Sequence, residues 1–458
     1  MCSPLGLKST EFPSTYVCMK KNLKFNKSME LFKEASKYLP AGVSSNARVW
    51  KGAICPSYMP CSIFIKKAYG SHIWDVDGNE YIDYRLGYGP VILGHSFEYV
   101  RKAVHDAETK GTVYALDNEL EITVAKKIKS LVKCADMIRY ANSGTEATMT
   151  AIRLARWYTD KEKIIKFEGH YHGHHDYLLF NTFPPFESVR RKPIPASYGI
   201  PDKIKDYVII EDWNDFDSIE RTVKKYHNEV AAIICEPVMG NAAVMPPEDG
   251  YLKHLRKLCD DYGIVLIFDE VKTGFRLSRG GAQEVYNIKP DLAAFAKSLG
   301  NGYPIAAIVG IQDIMEEIAP NKVLQGGTYS GNRISLTAAN AMLDFIKKKD
   351  IYGYLNKYGK KLMKGIRDLF EDHDIRGIVQ GFPEMFQFLF TKKESIKTYR
   401  DLKYCDMQLF AKLQFELLKR GVMIDEDNGE PIYTCYSHTE KDLQDTLGAI
   451  EEAIHVLE

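Results

Sequence analysis

Three stretches of this chain combine residue types that could do chemistry. Lys297 ends a run of small apolar residues in DLAAFAKSLGNGYP and precedes a Gly-rich turn. An amine in a dry site has its charged form disfavoured and becomes nucleophilic toward aldehydes. Alone, Lys297 reads first as a strand-end lysine that simply reaches water. Asp269 ends the most hydrophobic run of the chain, in IVLIFDEVKTGFR. It could pair with a protonated ring nitrogen; a helix cap or an ion pair with Arg276 are the alternatives. In RYANSGTEATMTAIRLAR a short apolar run gives way to Ser143, Gly144 and Thr145 and then to a helical pattern. Free N–H groups and two hydroxyls at a helix start suit a phosphate, although an ordinary cap would need only one of them.

A fourth stretch, FEGHYHGHHD, packs four histidines and two carboxylates into ten residues. A metal site would need its ligands on one face with support behind them. The other three point elsewhere. A phosphate cradle, a ring-nitrogen carboxylate and a Schiff-base lysine together are what pyridoxal 5′-phosphate requires.

These residues need a scaffold, and one is legible. From about Glu119 to Gly310 helices alternate with short apolar runs: Met137–Tyr140, Ile164–Phe167, Val208–Ile210, Ala231–Ile234, Ile264–Phe268, Leu292–Ala296 and Ile305–Val309. Runs apolar on both faces predict an α/β fold with a buried, mostly parallel sheet of seven strands, whose ligands bind at the strands' carboxyl ends. Ile63–Tyr84 predicts strands joined at Asp77-Gly78. Ser28 is placed as the cap of a first helix that Pro40 stops. After Ser335 the pattern is amphipathic helices with few strands; the last helix opens on Thr439-x-x-Asp442 and runs Leu443, Leu447, Ile450, Ile454, Leu457. The expected layout is a disordered leader over 1–27, small-domain segments over 28–84 and 336–458, and a large cofactor-binding domain over 85–335.

The chain has 458 residues, zero formal net charge and 45% hydrophobic residues. That balance argues against a nucleic-acid or membrane-surface binder. No apolar run approaches the roughly 20 residues that span a bilayer, and no secretory signal opens the chain. Nine scattered cysteines without a C-x-x-C pair suit reduced thiols in the cytoplasm. Met19 is a second candidate start.

The motifs SSNAR, WDVDGNEYIDY, GYGPVILGH, NSGTEA, FEGHYHGH, EPVMGN, FDEVKTGFR, GGAQE, AKSLGNG and GGTYSGN, in this order, resemble the class III pyridoxal-phosphate aminotransferases. Within that family the chain most resembles the glutamate-1-semialdehyde 2,1-aminomutases. The resemblance implies a fold-type I enzyme with pyridoxal 5′-phosphate as cofactor and no metal. It implies Lys297 as Schiff-base lysine and proton shuttle, Asp269 on the pyridinium nitrogen and Tyr171 stacked on the ring. It further implies Ser143, Gly144 and Thr145 on the phosphate, Asn241 near the ring hydroxyl, and Thr328 reaching the phosphate of a partner subunit in a homodimer. For a carboxylate-bearing substrate it implies Arg48, with Ser45, Tyr88 and Glu430 nearby. Tyr88 stands where the mutases usually carry tryptophan, and FPPFESVRRKPIPASYGIP replaces their short Gly/Ser-rich lid. An intermolecular aminotransferase acting on a β- or ω-amino acid or an amino sugar is therefore the alternative. A metal-dependent hydrolase has no use for the Asp269/Lys297 pair, and a retired enzyme kept as a binding protein has no use for the whole set.

Overall fold

The computed structural model describes residues 23–49 and 62–457, so residues 1–22 of the expected leader lie outside the described residues. The described chain opens with the helix Asn26–Ala35. Ser28 does not cap it. The carboxylate of Asp77, from the turn at Asp77-Gly78, accepts the N–H groups of Lys27 (2.7 Å) and Ser28 (2.9 Å). A distant carboxylate thus satisfies the orphan donors of this helix start. That turn joins β2 (His72–Asp75) to β3 (Glu80–Asp83), and β1 (Ile65–Tyr69) pairs antiparallel with β2.

The seven apolar runs form one sheet: β4 (Met137–Ala141), β5 (Lys163–Phe167), β6 (Val208–Glu211), β7 (Val230–Cys235), β8 (Val265–Asp269), β9 (Leu292–Phe295) and β10 (Ala306–Gly310). Their spatial order is β4-β10-β9-β8-β7-β5-β6. β10 runs antiparallel to both its neighbours, and the other pairs are parallel. Strands β7 to β10 are buried throughout, which is why they read as unbroken apolar runs rather than alternating ones. Helices such as Gly144–Thr159 and Tyr251–Tyr262 cover the faces.

The helix Arg333–Lys348 buries Leu336, Met342, Leu343 and Ile346 in the core of this sheet. A second core gathers Ile82 and Tyr84 with Leu362, Phe388, Leu413, Val422 and Ile450. The strands in this second part exceed what the helical patterns suggested: β11 (Gly377–Phe382) and β12 (Met385–Phe390) pair antiparallel, β13 (Val422–Met423) joins β3 in parallel, and β14 (Ile432–Tyr433) joins β12. The last helix, Glu440–Leu457, has its Thr439/Asp442 capping box: Asp442 Oδ2 accepts the Thr439 N–H at 2.8 Å, and Thr439 Oγ1 accepts the Asp442 N–H at 3.2 Å.

Candidate active site

A pocket of about 310 Å³ opens at the carboxyl ends of β4, β8 and β9. Its wall includes Ser143, Gly144, Thr145, Tyr171, Asn241, Asp269 and Lys297. The sheet order explains the gathering. β8 and β9 are parallel neighbours, so Asp269 at the end of one lies beside Lys297 just past the end of the other. β4 ends on the same side and delivers the start of the helix Gly144–Thr159.

Asp269 is 4% exposed, and burial lifts its carboxyl to about 7. Oδ1 accepts the Val271 N–H at 3.0 Å, and Oδ2 accepts from His172 Nδ1 at 2.8 Å. Burial, with Lys166 adding to it, holds His172 well below its ordinary range, so its ring is neutral, and the Nδ1–H tautomer is the one that donates to a carboxylate at Asp269. Arg276 does not pair with Asp269. It donates to the carbonyls of Gly89 (2.6 Å), Thr434 (3.0 Å) and Glu384 (3.1 Å).

Lys297 has φ of +43°, a left-handed conformation that a side-chain-bearing residue holds only where its surroundings impose it. Burial foremost, and then the nearby Lys272, bring its amine down to about 7. Among the described residues it makes no hydrogen bond or ion pair. Ser143 Oγ accepts the Glu146 N–H at 3.2 Å, and so caps the helix whose N–H groups face the pocket. Thr145 Oγ1 lies 3.2 Å from His174 Nδ1.

The histidine segment divides its labour. Tyr171 presents its ring to the pocket while its N–H donates to Glu236 Oε1 at 2.9 Å. His170 Nδ1 accepts the Glu236 N–H at 3.0 Å. His175 is half-buried, and desolvation of its ring pushes it down to about 3. Among the described residues, the group whose ligand atoms converge as a metal site would need is His373, Glu451 and His455, outside this segment.

One acid and a lysine complete the wall, and a second acid stands behind the lysine. Burial lifts Glu236 to about 7; Oε2 accepts from Gly240 N–H and Asn241 Nδ2, both at 3.0 Å. This fixes Asn241 with its side chain at the pocket. Lys272 donates to Glu430 Oε2 at 2.9 Å, which brings Glu430 to the pocket's edge. Sequence reasoning passed over Lys272 and the hydrogen bond of His172. The signal for Lys272 was its position three residues after Asp269, inside a motif already singled out.

The other expected site residues lie apart from the pocket lining. Ser45 and Arg48 are exposed in and beside the short turn Asn46–Arg48. Tyr88 links to that segment, since its hydroxyl donates to the Ala47 carbonyl and accepts from Arg85 Nη2 at 2.7 Å. Thr328 is exposed in the loop before the helix Arg333–Lys348.

The segment from Phe183 to Pro201 is tied down. Arg400 holds Glu168 through two hydrogen bonds of 2.6 and 2.7 Å and donates to the carbonyls of Phe186 and Ser188. Tyr399 donates to the Pro184 carbonyl at 2.9 Å. Arg190 and Arg191 both reach Asp212 Oδ2, at 2.9 and 3.0 Å.

The "Aminotransferase class-III" family model matches residues 54–454. The chain belongs to the class III aminotransferases. A glutamate-1-semialdehyde 2,1-aminomutase of Methanococcus maripaludis is 42% identical over 96% of this chain and 100% of the relative. One of Persephonella marina is 41% identical over 95% of this chain and all of its own length. Among solved structures, an omega-transaminase from Sphaerobacter thermophilus superposes with a TM-score of 0.87 at 27% identity, covering 93% of this chain and 97% of that one. This class III aminotransferase is an enzyme that transfers amino groups with pyridoxal 5′-phosphate. The pocket fits that group: a buried, positioned carboxylate, an unpaired lysine, an aromatic ring and a capped helix start with two hydroxyls surround one cavity. No helix among the described residues is long and apolar enough to cross a membrane.

Proposed function

We propose that this enzyme moves the amino group of glutamate 1-semialdehyde to give 5-aminolevulinate. The observation that carries this reading is the match to an aminomutase at 42% identity over all of its length, in a chain whose pocket gathers Lys297, Asp269 and Tyr171. When bound, pyridoxal 5′-phosphate supplies an aldehyde that condenses with amines and a ring that accepts the electron pair left on a deprotonated carbon.

The residues do the rest. Lys297 would hold the cofactor through its aldehyde and, as a free amine, would take up the proton lost by the substrate carbon. Asp269, oriented by His172, would keep a ring nitrogen protonated. Tyr171 would pack against the ring. Ser143, Gly144 and Thr145 would hold the phosphate at the helix start, and Asn241 would lie toward the ring hydroxyl. Arg48 meets the substrate carboxylate, with Ser45, Tyr88 and Glu430 around it. Thr328 completes the phosphate site of a second copy. The adjoining segments that carry exposed Leu116, Leu324 and Tyr329 support a homodimer through that face. The enzyme works in the cytoplasm as a large cofactor-binding domain with a smaller domain built from both ends of the chain.

The second reading is an intermolecular aminotransferase for a β- or ω-amino acid or an amino sugar. The tethering of Phe183 to Pro201 by Arg400 favours it, since a mutase must keep its substrate enclosed between two half-reactions. The deciding experiment supplies purified enzyme with glutamate 1-semialdehyde and no other amino donor or acceptor. Sustained formation of 5-aminolevulinate over many turnovers is expected, and Lys297→Ala abolishes it. A cofactor-loaded protein that forms none refutes the mutase.

A further inference from the structure

Three carboxylates act electrostatically on Lys297, two of them (Asp269 and Glu236) in the pocket wall, and each is already engaged. Asp269 is held by His172 and by the Val271 N–H. Glu236 accepts from Tyr171, Gly240 and Asn241. Glu430 is bound by Lys272 at 2.9 Å. Lys272 is itself buried at 5% exposure and makes a second bond, 3.3 Å, to the carbonyl of Gly240. The site is built for it: a Cβ at residue 240 would lie 2.8 Å from Lys272 Cδ, so glycine there opens the path its stem takes. Two lysines therefore line one small cavity. One has a counter-ion and the other has none.

We propose that Lys272 acts on the reaction through Lys297: by engaging Glu430 and standing as a fixed cation in the same wall, it keeps the Lys297 amine uncharged and ready to attack a carbonyl. Lys272 is a positioning residue here, and the charge it positions is that of its neighbour. A like charge in a water-poor site disfavours protonation of a neighbouring amine. The electrostatic balance agrees in direction. Although burial pulls Lys272 down, Glu430 holds it above its ordinary range, while Lys297 comes down to about 7. The groups facing Lys297 are Lys272, Glu430, Glu236 and Asp269, and of these Lys272 is the cation.

The inference rests on Lys297 being the reactive lysine, and the test separates the two. Borohydride reduction of the loaded full-length enzyme, followed by peptide mapping, identifies the lysine that carries the cofactor. The full chain freed of cofactor is then labelled with an amine-reactive reagent across pH, and the rate at Lys297 is read by mass spectrometry. Wild type should show a midpoint near 7. Lys272→Met should raise that midpoint by at least about one unit, which slows labelling at neutral pH about fivefold. Lys272→Arg, which keeps the charge, should stay near wild type. Glu430→Gln, which strips Lys272 of its counter-ion, should move the midpoint down. Opposite signs in the two neutralising variants are what a structural role for the ion pair would not produce. Lys272→Met leaves the half-buried Glu430 without its partner; should it fail to fold, K272M/E430Q carries no unpaired charge and is compared with E430Q, above which its midpoint should rise. Trapping at Lys297 with unmoved midpoints, or shifts of the same sign, overturns this inference alone. Trapping at another lysine overturns both it and the reading of the site.

Discussion

Replacing His172 by phenylalanine tests whether the buried histidine exists to hold Asp269. The side chain is 1% exposed, and its Nδ1 donates to Asp269 Oδ2 at 2.8 Å. Phenylalanine keeps the ring and removes the donor. Asp269 then retains only the Val271 N–H. A hydrogen bond to a charged group contributes about 1.5–3 kcal/mol. Burial already lifts this carboxyl to about 7, so loss of a donor pushes it further toward the neutral acid. A neutral acid no longer favours a protonated ring nitrogen. Cofactor affinity should therefore fall by roughly tenfold to a hundredfold, measured by absorbance titration of cofactor-free protein, with thermal unfolding of the same samples as control. His172→Asn, which keeps a short donor, should recover part of the loss. Equal affinity and an unchanged visible band in the phenylalanine variant would refute the reasoning and leave His172 as packing.

Arg400→Met should destabilise the fold by about 3–5 kcal/mol in urea unfolding, because it strands the buried Glu168 carboxylate; it should also speed proteolysis between Phe183 and Pro201. Lys166 is fully buried, with its amine donating to the carbonyls of His170, Leu178 and Phe180, and burial brings it down to about 7. Between that value and its ordinary 10.5 the unfolded chain binds the extra proton, so Lys166 makes stability rise with pH across that window. Lys166→Met should remove up to about 1.4 kcal/mol per pH unit of that slope between pH 7.5 and 9, and an identical slope would contradict the burial argument. Gly173→Ala should weaken cofactor binding and lower Tm, since φ is +90° and the new Cβ would lie 2.8 Å from Thr145 Cα. Strain of this kind amounts to roughly 1–3 kcal/mol; calorimetry with and without cofactor separates the two effects.

Much of the sheet was legible because strands buried on both faces leave unbroken apolar runs, and the polar residue that ends such a run must lie at the sheet's rim. Asp269 and Lys297 were found that way. Side chains whose roles depend on distant partners were not. Lys272 matters through Glu430, 158 positions on, and His172 matters through Asp269, 97 positions on; no local pattern encodes either. The same holds for the cap on Asn26–Ala35. Ser28 is the usual residue type for the task, yet the carboxylate comes from Asp77, which tertiary structure brings in. In the second half, β11 and β12 went unseen because Gly377–Phe390 lies between strongly amphipathic helices and only Pro383-Glu384 separates its two strands.

The reversed strand β10 has a consequence for how the enzyme is born. β4 joins the sheet only through β10, whose five residues pair with Met137–Ala141 on one side and whose last four pair with Leu292–Phe295 on the other. The Ser143-capped helix start hangs from β4 and Lys297 from β9. On the ribosome these two halves of the grip stay unregistered until residue 310 has been made, some 170 positions after β4. A nascent chain that stalls between residues 297 and 306 holds both halves and lacks the strand that aligns β4 with β9, so assembly of the complete pocket belongs to the last third of synthesis.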